Sequence, residues 1–148
     1  MKKVLVINGP NLNMLGKRET QIYGKVSLKN IEKGCIDLAK SLKMKITFFQ
    51  SNSESEIIEK IQSSYKSFHA LIINAGAFTH TSIAIHDSLK ILSFPIIEVH
   101  LSNLSIRENF RQKSLITPLS FGSITGFGHI VYKVALYSLK TVWEKHEN

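Results

Sequence analysis

The sequence contains one cysteine and no apolar run long enough to cross a bilayer. The lone Cys35 excludes an internal disulfide and a zinc site built from cysteines. A spanning helix needs roughly 18 consecutive apolar residues, so we predict no membrane partner. The apolar run behind the two N-terminal lysines covers only residues 4–7, whereas a secretory signal core needs roughly 7–15 residues. We therefore predict a strand there and a cytoplasmic protein.

Composition indicates one folded domain over residues 1–148. Hydrophobic residues make up 43% and charged residues 20% of the chain, which is ordinary for a globular protein. The net charge of +8 raises the possibility of nucleic-acid binding. However, the lysines and arginines are scattered, and aromatic residues do not alternate with them as they do in base-stacking proteins. We predict no nucleic-acid partner, and note that a positive field can attract a small anion.

Short apolar runs alternate with helical patterns along the chain. Four runs rich in β-branched residues or phenylalanine are predicted to be strands buried on both faces of a parallel sheet: residues 4–8, 46–50, 71–74 and 96–101. Helices are predicted between them, with a fifth strand at about 119–124 and a last helix at about 129–143. This order predicts a three-layer α/β/α sandwich of flavodoxin-like kind with a five-stranded parallel sheet.

Local signals support the predicted helices. Ser27 is suited to cap the first helix, and Ser53 with Glu56 has the spacing of a capping box. A third helix is predicted over residues 83–92, ahead of Pro95. Two long connections, residues 9–26 and 102–118, interrupt this regular pattern. Long connections inside a compact domain are usually lids or binding loops.

Polar side chains follow three of the predicted strands at the point where each ends. Asn8 and Asn11 follow the first strand, Asn74 and His80 the third, and His100 the fourth. In open parallel sheets, ligands bind beyond the carboxyl ends of the strands. These residues therefore predict a site for a hydroxylated, carboxylate-bearing molecule, although asparagine also favours strand-end turns for local reasons.

Several chemistries fit this set poorly. Cys35 lies on the apolar face of the first helix, where packing is the simpler role. His80 and His86 are six residues apart without an acidic cluster, so we predict no metal site. The glycines of residues 122–128 do not have dinucleotide-binding spacing. The sequence does not exclude catalysis through a lysine Schiff base, although no lysine follows a predicted strand.

Acid–base chemistry fits better. His100 is a candidate general acid, and Glu98 lies on the same strand face, where it could orient the imidazole. A core histidine bonded to a backbone carbonyl explains this segment equally well. Tyr23, with Arg18 nearby, is a candidate base. A phenol loses its proton near pH 10, so a tyrosinate base needs a cation beside it. A loop tyrosine is also often just an anchor.

The chain resembles the type II 3-dehydroquinases. The resemblance covers nearly the whole chain and rests on the segments NGPNLNMLG (8–16), KRETQIYG (17–24), NAGAFTHTS (74–82), EVHLSN (98–103), RENFR (107–111) and SITGFG (123–128). It implies reversible dehydration of 3-dehydroquinate to 3-dehydroshikimate by anti elimination through an enolate, in the shikimate pathway and without a cofactor. The main alternative is a non-catalytic flavodoxin-like module that binds FMN or another phosphate ligand.

The resemblance also implies a role for each matching residue. Tyr23 would be the base, Arg18 would stabilise its anion, and His100 would protonate the departing hydroxyl. The other implied site residues are Asn11 at the enolate, Asn74, His80 and Arg111 at ring hydroxyls, the backbone amides of Leu101 and Ser102 at the carboxylate, and Asp87 from a neighbouring subunit. The implied assembly is a dodecamer, a tetramer of trimers, and residues 9–24 would form a closing lid.

Overall fold

The computed structural model describes residues 1–147. Its strands are β1 (Lys2–Asn8), β2 (Met44–Gln50), β3 (Ala70–Asn74), β4 (Ile96–His100) and β5 (Gly122–Thr125). Its α-helices are α1 (Thr20–Tyr23), α2 (Leu28–Ser41), α3 (Glu54–Ser64), α4 (Phe78–Thr81), α5 (Ile83–Leu89) and α6 (Val131–Glu147). Short 3₁₀ turns occupy parts of the connections.

The five strands form one parallel sheet in the order β2-β1-β3-β4-β5. Helices α2 and α6 pack together against one face, and α3 and α5 against the other. Because successive side chains point to opposite faces, Val4 and Val6 enter the first core while Leu5 and Ile7 enter the second. The predicted three-layer α/β/α sandwich with a five-stranded parallel sheet is confirmed.

Burial on both faces holds only for the central strands. Every residue of β3 and β4 is buried. In β2 only Met44 is buried, because this strand lies at the edge of the sheet. The prediction that all four strands are buried on both faces was therefore wrong for β2. Among the described residues, no helix is long and apolar enough to span a membrane.

Both predicted helix caps are present. The Ser27 hydroxyl accepts the Asn30 N–H at 3.2 Å, and the Ser53 hydroxyl accepts the Glu56 N–H at 3.3 Å. The second hydrogen bond of a capping box, from the Ser53 N–H to the Glu56 carboxylate, is not formed, so this part of the prediction was wrong. The Glu56 carboxylate instead accepts a hydrogen bond from the Ser51 hydroxyl, which in turn accepts the Ser53 N–H at 2.9 Å.

Several boundaries differ from the sequence prediction, and the last helix runs Val131–Glu147 rather than about 129–143. The third helix ends at Leu89, earlier than expected, and is preceded by the separate turn α4. Strand β5 begins at Gly122 because Pro118 lies in a 3₁₀ turn over Thr117–Leu119. The connection 9–26 contains α1 and a 3₁₀ turn at Leu12–Met14.

Candidate active site

A cleft lies at the carboxyl ends of β1, β3 and β4. Its walls include both long connections that the sequence analysis singled out. Nine of the predicted site residues line it: Asn11, Arg18, Tyr23, Asn74, His80, His100, Leu101, Ser102 and Arg111. The polar residues that follow these strands in sequence therefore meet in one place.

The end of β1 runs directly over the end of β3. The Gly9 N–H donates to the Asn74 carbonyl at 2.8 Å, and a Cβ on Gly9 would collide with the backbone of Ala75. Only glycine permits this approach without displacing one strand end. Asn11 then adopts a left-handed backbone (φ 68°), and its N–H donates to the Asn52 side chain at 3.0 Å. These contacts direct Asn11 into the cleft wall.

His100 and Glu98 form a buried pair at the end of β4. The His100 Nε2 donates to Glu98 Oε2 at 2.8 Å, and the two side chains are 6% and 0% exposed. A carboxylate only accepts, so Nε2 carries a proton and Nδ1 is the ring nitrogen available to a ligand. The contact predicted from their two-residue spacing is confirmed.

Glu98 is held by further donors from the connection 102–118. The Ser114 hydroxyl donates to Oε2 at 2.6 Å, and the Thr117 hydroxyl donates to Oε1. Burial by itself would raise the pKa of Glu98. The hydrogen bond and charge of His100, together with these two hydroxyls, outweigh burial and lower this pKa below its ordinary value. Glu98 is therefore a carboxylate at neutral pH, and it contacts the His100 ring at 2.8 Å.

His80 and Arg111 complete the far wall. The His80 Nδ1 donates to the Lys113 carbonyl at 2.7 Å, which ties α4 to the connection 102–118. The His80 and His100 rings lie with centroids 6.5 Å apart. Arg111 contacts the Glu108 carboxylate at 3.0 Å and still lines the cleft. Two imidazoles and a guanidinium therefore face one volume.

Tyr23 lies between two guanidinium groups. Both terminal nitrogens of Arg107 lie 3.3 Å from the phenol oxygen, and one of them also donates to the Ser102 hydroxyl at 2.9 Å. Arg18 instead stacks on the ring, with its guanidinium carbon 4.8 Å from the centroid, and pairs with Glu19 at 3.2 Å. Both cations therefore lie against the phenol, and Arg107 contacts its oxygen directly.

Sequence reasoning missed Arg107 as a site residue. The length of the connection 102–118 had marked this region, and Arg107 begins one of the segments that carry the family resemblance. Its partner Tyr23 lies 84 residues away in sequence, so no local pattern could link the two.

Two of the sequence-predicted residues do not line the cleft of this chain. Glu98 lies behind His100 and contacts its Nε2 at 2.8 Å. The Asp87 side chain is 63% exposed on α5 and pairs with Lys90 at 3.7 Å. Within residues 1–147, no group of three or more histidine, cysteine, aspartate or glutamate side chains is arranged to hold a metal ion.

Three comparisons bear on what the cleft does. Residues 2–140 match the family model described as Dehydroquinase class II. The chain is 54% identical to a 3-dehydroquinate dehydratase of Caldicellulosiruptor bescii, over 96% of this chain and 99% of that protein. It is 51% identical to the enzyme of the same name from Nitratiruptor, over 98% and 93%. The crystal structure of the type II dehydroquinase of Propionibacterium acnes superposes with a TM-score of 0.92 at 38% identity, covering 95% and 97%.

Proposed function

This chain belongs to the class II dehydroquinase family, and on that premise we propose how its residues dehydrate 3-dehydroquinate to 3-dehydroshikimate in the shikimate pathway. One observation carries the assignment of roles. A tyrosine held by guanidinium groups and a histidine backed by a buried carboxylate line the same cleft. This arrangement suits removal of a proton and delivery of another in a single elimination.

Tyr23 is the base. Its phenolate oxygen takes the C2 proton, and the electron pair of that C–H bond forms the enolate of the adjacent ketone. Arg107 supports the phenolate through direct contact, with both nitrogens 3.3 Å from the oxygen. Arg18 supports it through its charge at the ring face, 4.8 Å from the centroid. We therefore assign Arg107 a role at least equal to that of Arg18.

His100 is the acid. As an imidazolium it donates a proton from Nδ1 to the hydroxyl on the carbon next to C2. The C–O bond breaks, water departs, and the enolate electrons form the new C=C bond. Glu98 supports this charged form because its carboxylate accepts the Nε2 proton at 2.8 Å. Solvent then restores both catalytic groups to their starting protonation states.

The remaining cleft residues bind the substrate. Asn11 is assigned to the enolate region, and the backbone amides of Leu101 and Ser102 to the carboxylate. Asn74, His80 and Arg111 are assigned to ring hydroxyls. Support comes from the shared cleft and from three arginines, at positions 18, 107 and 111, that give it a positive field for an anion.

We propose that residues 1–148 act as one catalytic domain in which residues 9–24 close as a lid. In support, α1 contains no buried residue, whereas Leu12 and Leu15 anchor the start of this segment in the core, so we expect the movement to be confined to the part around α1. Closure would exclude water around Tyr23 and strengthen its attraction to both guanidinium groups.

We also propose a cytoplasmic homo-oligomer, a dodecamer built as a tetramer of trimers, in which Asp87 reaches a neighbouring cleft. Phe110, Phe121 and Phe127 are 67%, 62% and 80% exposed in the isolated chain, and such side chains often mark subunit interfaces. Light scattering of the purified protein tests the assembly, and cell fractionation tests the location. A monomer with full activity would overturn the role of Asp87.

The decisive experiment adds 3-dehydroquinate and follows the enone absorbance of the product with a strong chelator present. We expect full activity, which would agree with chemistry that needs no metal or other cofactor. Loss of activity on chelation would overturn that part of the proposal. The family match gives no support to an FMN module, and flavin released on denaturation would be needed to revive it. Steeply salt-dependent retention on DNA would likewise revive a nucleic-acid partner.

A further inference from the structure

A fully buried tyrosine lies beneath the cleft and has no part in the mechanism above. Tyr132, on α6, is 0% exposed, and its hydroxyl donates to Asn8 Oδ1 at 2.5 Å. The same oxygen accepts a hydrogen bond from Asn74 Nδ2 at 3.1 Å. Asn8 and Asn74 are register partners at the ends of β1 and β3. The tyrosine therefore bridges the two strand ends from behind.

We propose that Tyr132 and Asn8 are positioning residues that fix the Asn74 side-chain amide so that it presents an N–H donor to the substrate. The inference rests on the proposed function, because Asn74 acts there as a substrate-binding residue. It adds to that function by naming the residues that decide whether Asn74 offers the substrate an N–H donor or a carbonyl acceptor.

Two contacts on opposite sides of Asn74 determine this polarity. The backbone N–H of Gly76 can only donate, and it faces Asn74 Oδ1 at 3.2 Å. The Tyr132 hydroxyl has a single proton, which it gives to Asn8, so toward Asn74 its oxygen can only accept. Both contacts require the same orientation of the amide. Among residues 1–147 no other group accepts from Asn74 Nδ2, so its second N–H is available to a hydroxyl or carbonyl oxygen in the cleft.

Asn8 provides the second line of support. It is fully buried, and within residues 1–147 its Nδ2 has no hydrogen-bond partner. A buried unpaired donor destabilises a fold, so an apolar residue would suit this position better for packing alone. Directing the Tyr132 proton away from Asn74 gives Asn8 a function. Burial also raises the pKa of Tyr132 above its ordinary value, so the hydroxyl keeps that proton.

The test is Tyr132→Phe in the full-length protein. We expect the KM for 3-dehydroquinate to rise about 10-fold, as for one weakened hydrogen bond, while kcat changes by less than about 3-fold. Tyr137→Phe is the matched control, since Tyr137 is 55% exposed on the same helix and should leave both constants unchanged. Asn8→Ala should raise KM by a smaller factor, because Tyr132 could then also donate toward Asn74.

A double-mutant cycle separates positioning from stability. If Tyr132 acts through Asn74, adding Tyr132→Phe to Asn74→Ala should change KM no further. An equal rise in KM in both backgrounds would overturn the inference, as would a Tyr132→Phe protein that is less heat-stable but has unchanged constants. If Tyr132→Phe does not fold, the same double-mutant cycle is carried out with Asn8→Ala and Asn74→Ala, and the same outcomes support or overturn the inference. Wild-type protein that leaves 3-dehydroquinate unchanged would instead overturn the proposed function itself.

Discussion

The two halves of the candidate active site are built differently. At the strand ends, His100, Glu98 and Asn74 are buried, and each side chain is held by at least two hydrogen-bonding or charged partners or, for His100, by the buried Glu98 carboxylate at 2.8 Å. In the connection 9–26, Tyr23 lies on a four-residue helix without a buried residue and is held by contacts of 3.3 Å and by stacking. The proton donor is thus preorganised by the fold, whereas the base depends on a loop and on cations from elsewhere.

This contrast predicts that a substitution at Tyr23 lowers turnover without lowering stability. In Tyr23→Phe we expect turnover to fall by about 10²–10⁴-fold, because the base is lost. The melting temperature should stay close to wild type, since phenylalanine keeps the half-buried ring that packs against the first core. Tyr65→Phe, an exposed tyrosine at the end of α3, is the control. Near-normal turnover in Tyr23→Phe would assign the base elsewhere.

The guanidinium groups around Tyr23 should differ in importance. We expect Arg107→Ala to lower turnover by about 10²-fold, as for loss of one donor at a developing charge. Arg107→Lys should recover only part of this, because lysine keeps the charge but not the two-nitrogen contact. Steady-state kinetics of both variants and of Arg18→Ala would check the ranking. A larger loss in Arg18→Ala would make stacking more important than direct contact.

At the strand ends, a substitution should affect stability as well as rate. The pKa of Glu98 is lower in the folded protein than its ordinary value of 4.5. The carboxylate therefore stabilises the fold fully at pH values above 4.5. This stabilisation is lost as the pH falls through the pKa of the folded state. Glu98→Gln should cost about 1–3 kcal/mol at neutral pH. The free energy of unfolding of Glu98→Gln should also fall less steeply on acidification than that of the wild type. Denaturant unfolding from neutral to acid pH measures both the loss of stability and its pH dependence. If the stabilities of wild type and variant changed in parallel with pH, the prediction would be contradicted.

The smallest effect is expected at Cys35, which belongs to neither half. The thiol is 1% exposed, and burial raises its pKa to about 11. We expect no alkylation of the native protein at neutral pH, because the thiolate is scarce and shielded. Alkylation should appear once denaturant unfolds the chain. Rapid labelling of the native protein, followed by mass spectrometry, would place the thiol outside the core.

Much of the strand-end half could be predicted from sequence. His100 and Glu98 are two residues apart on one strand, so alternation alone puts them on the same face, and the 2.8 Å contact is present. The β2 edge strand was predicted as buried because its composition resembles that of the central strands, and only the strand order reveals an edge. Ser114 and Thr117 were not anticipated as partners of Glu98, since they approach it from a connection without regular periodicity.

The sequence by itself determined the alternation of strands and helices, the parallel sheet that follows from it, and the convergence of Asn74, His80 and His100 at one edge. These depend on short-range periodicity and on the general geometry of parallel sheets. Only the tertiary structure decided which groups touch across the chain. Arg107 meets Tyr23 over 84 residues, and Tyr132 meets Asn8 over 124. Such contacts depend on how loops and helices pack, which no local pattern encodes.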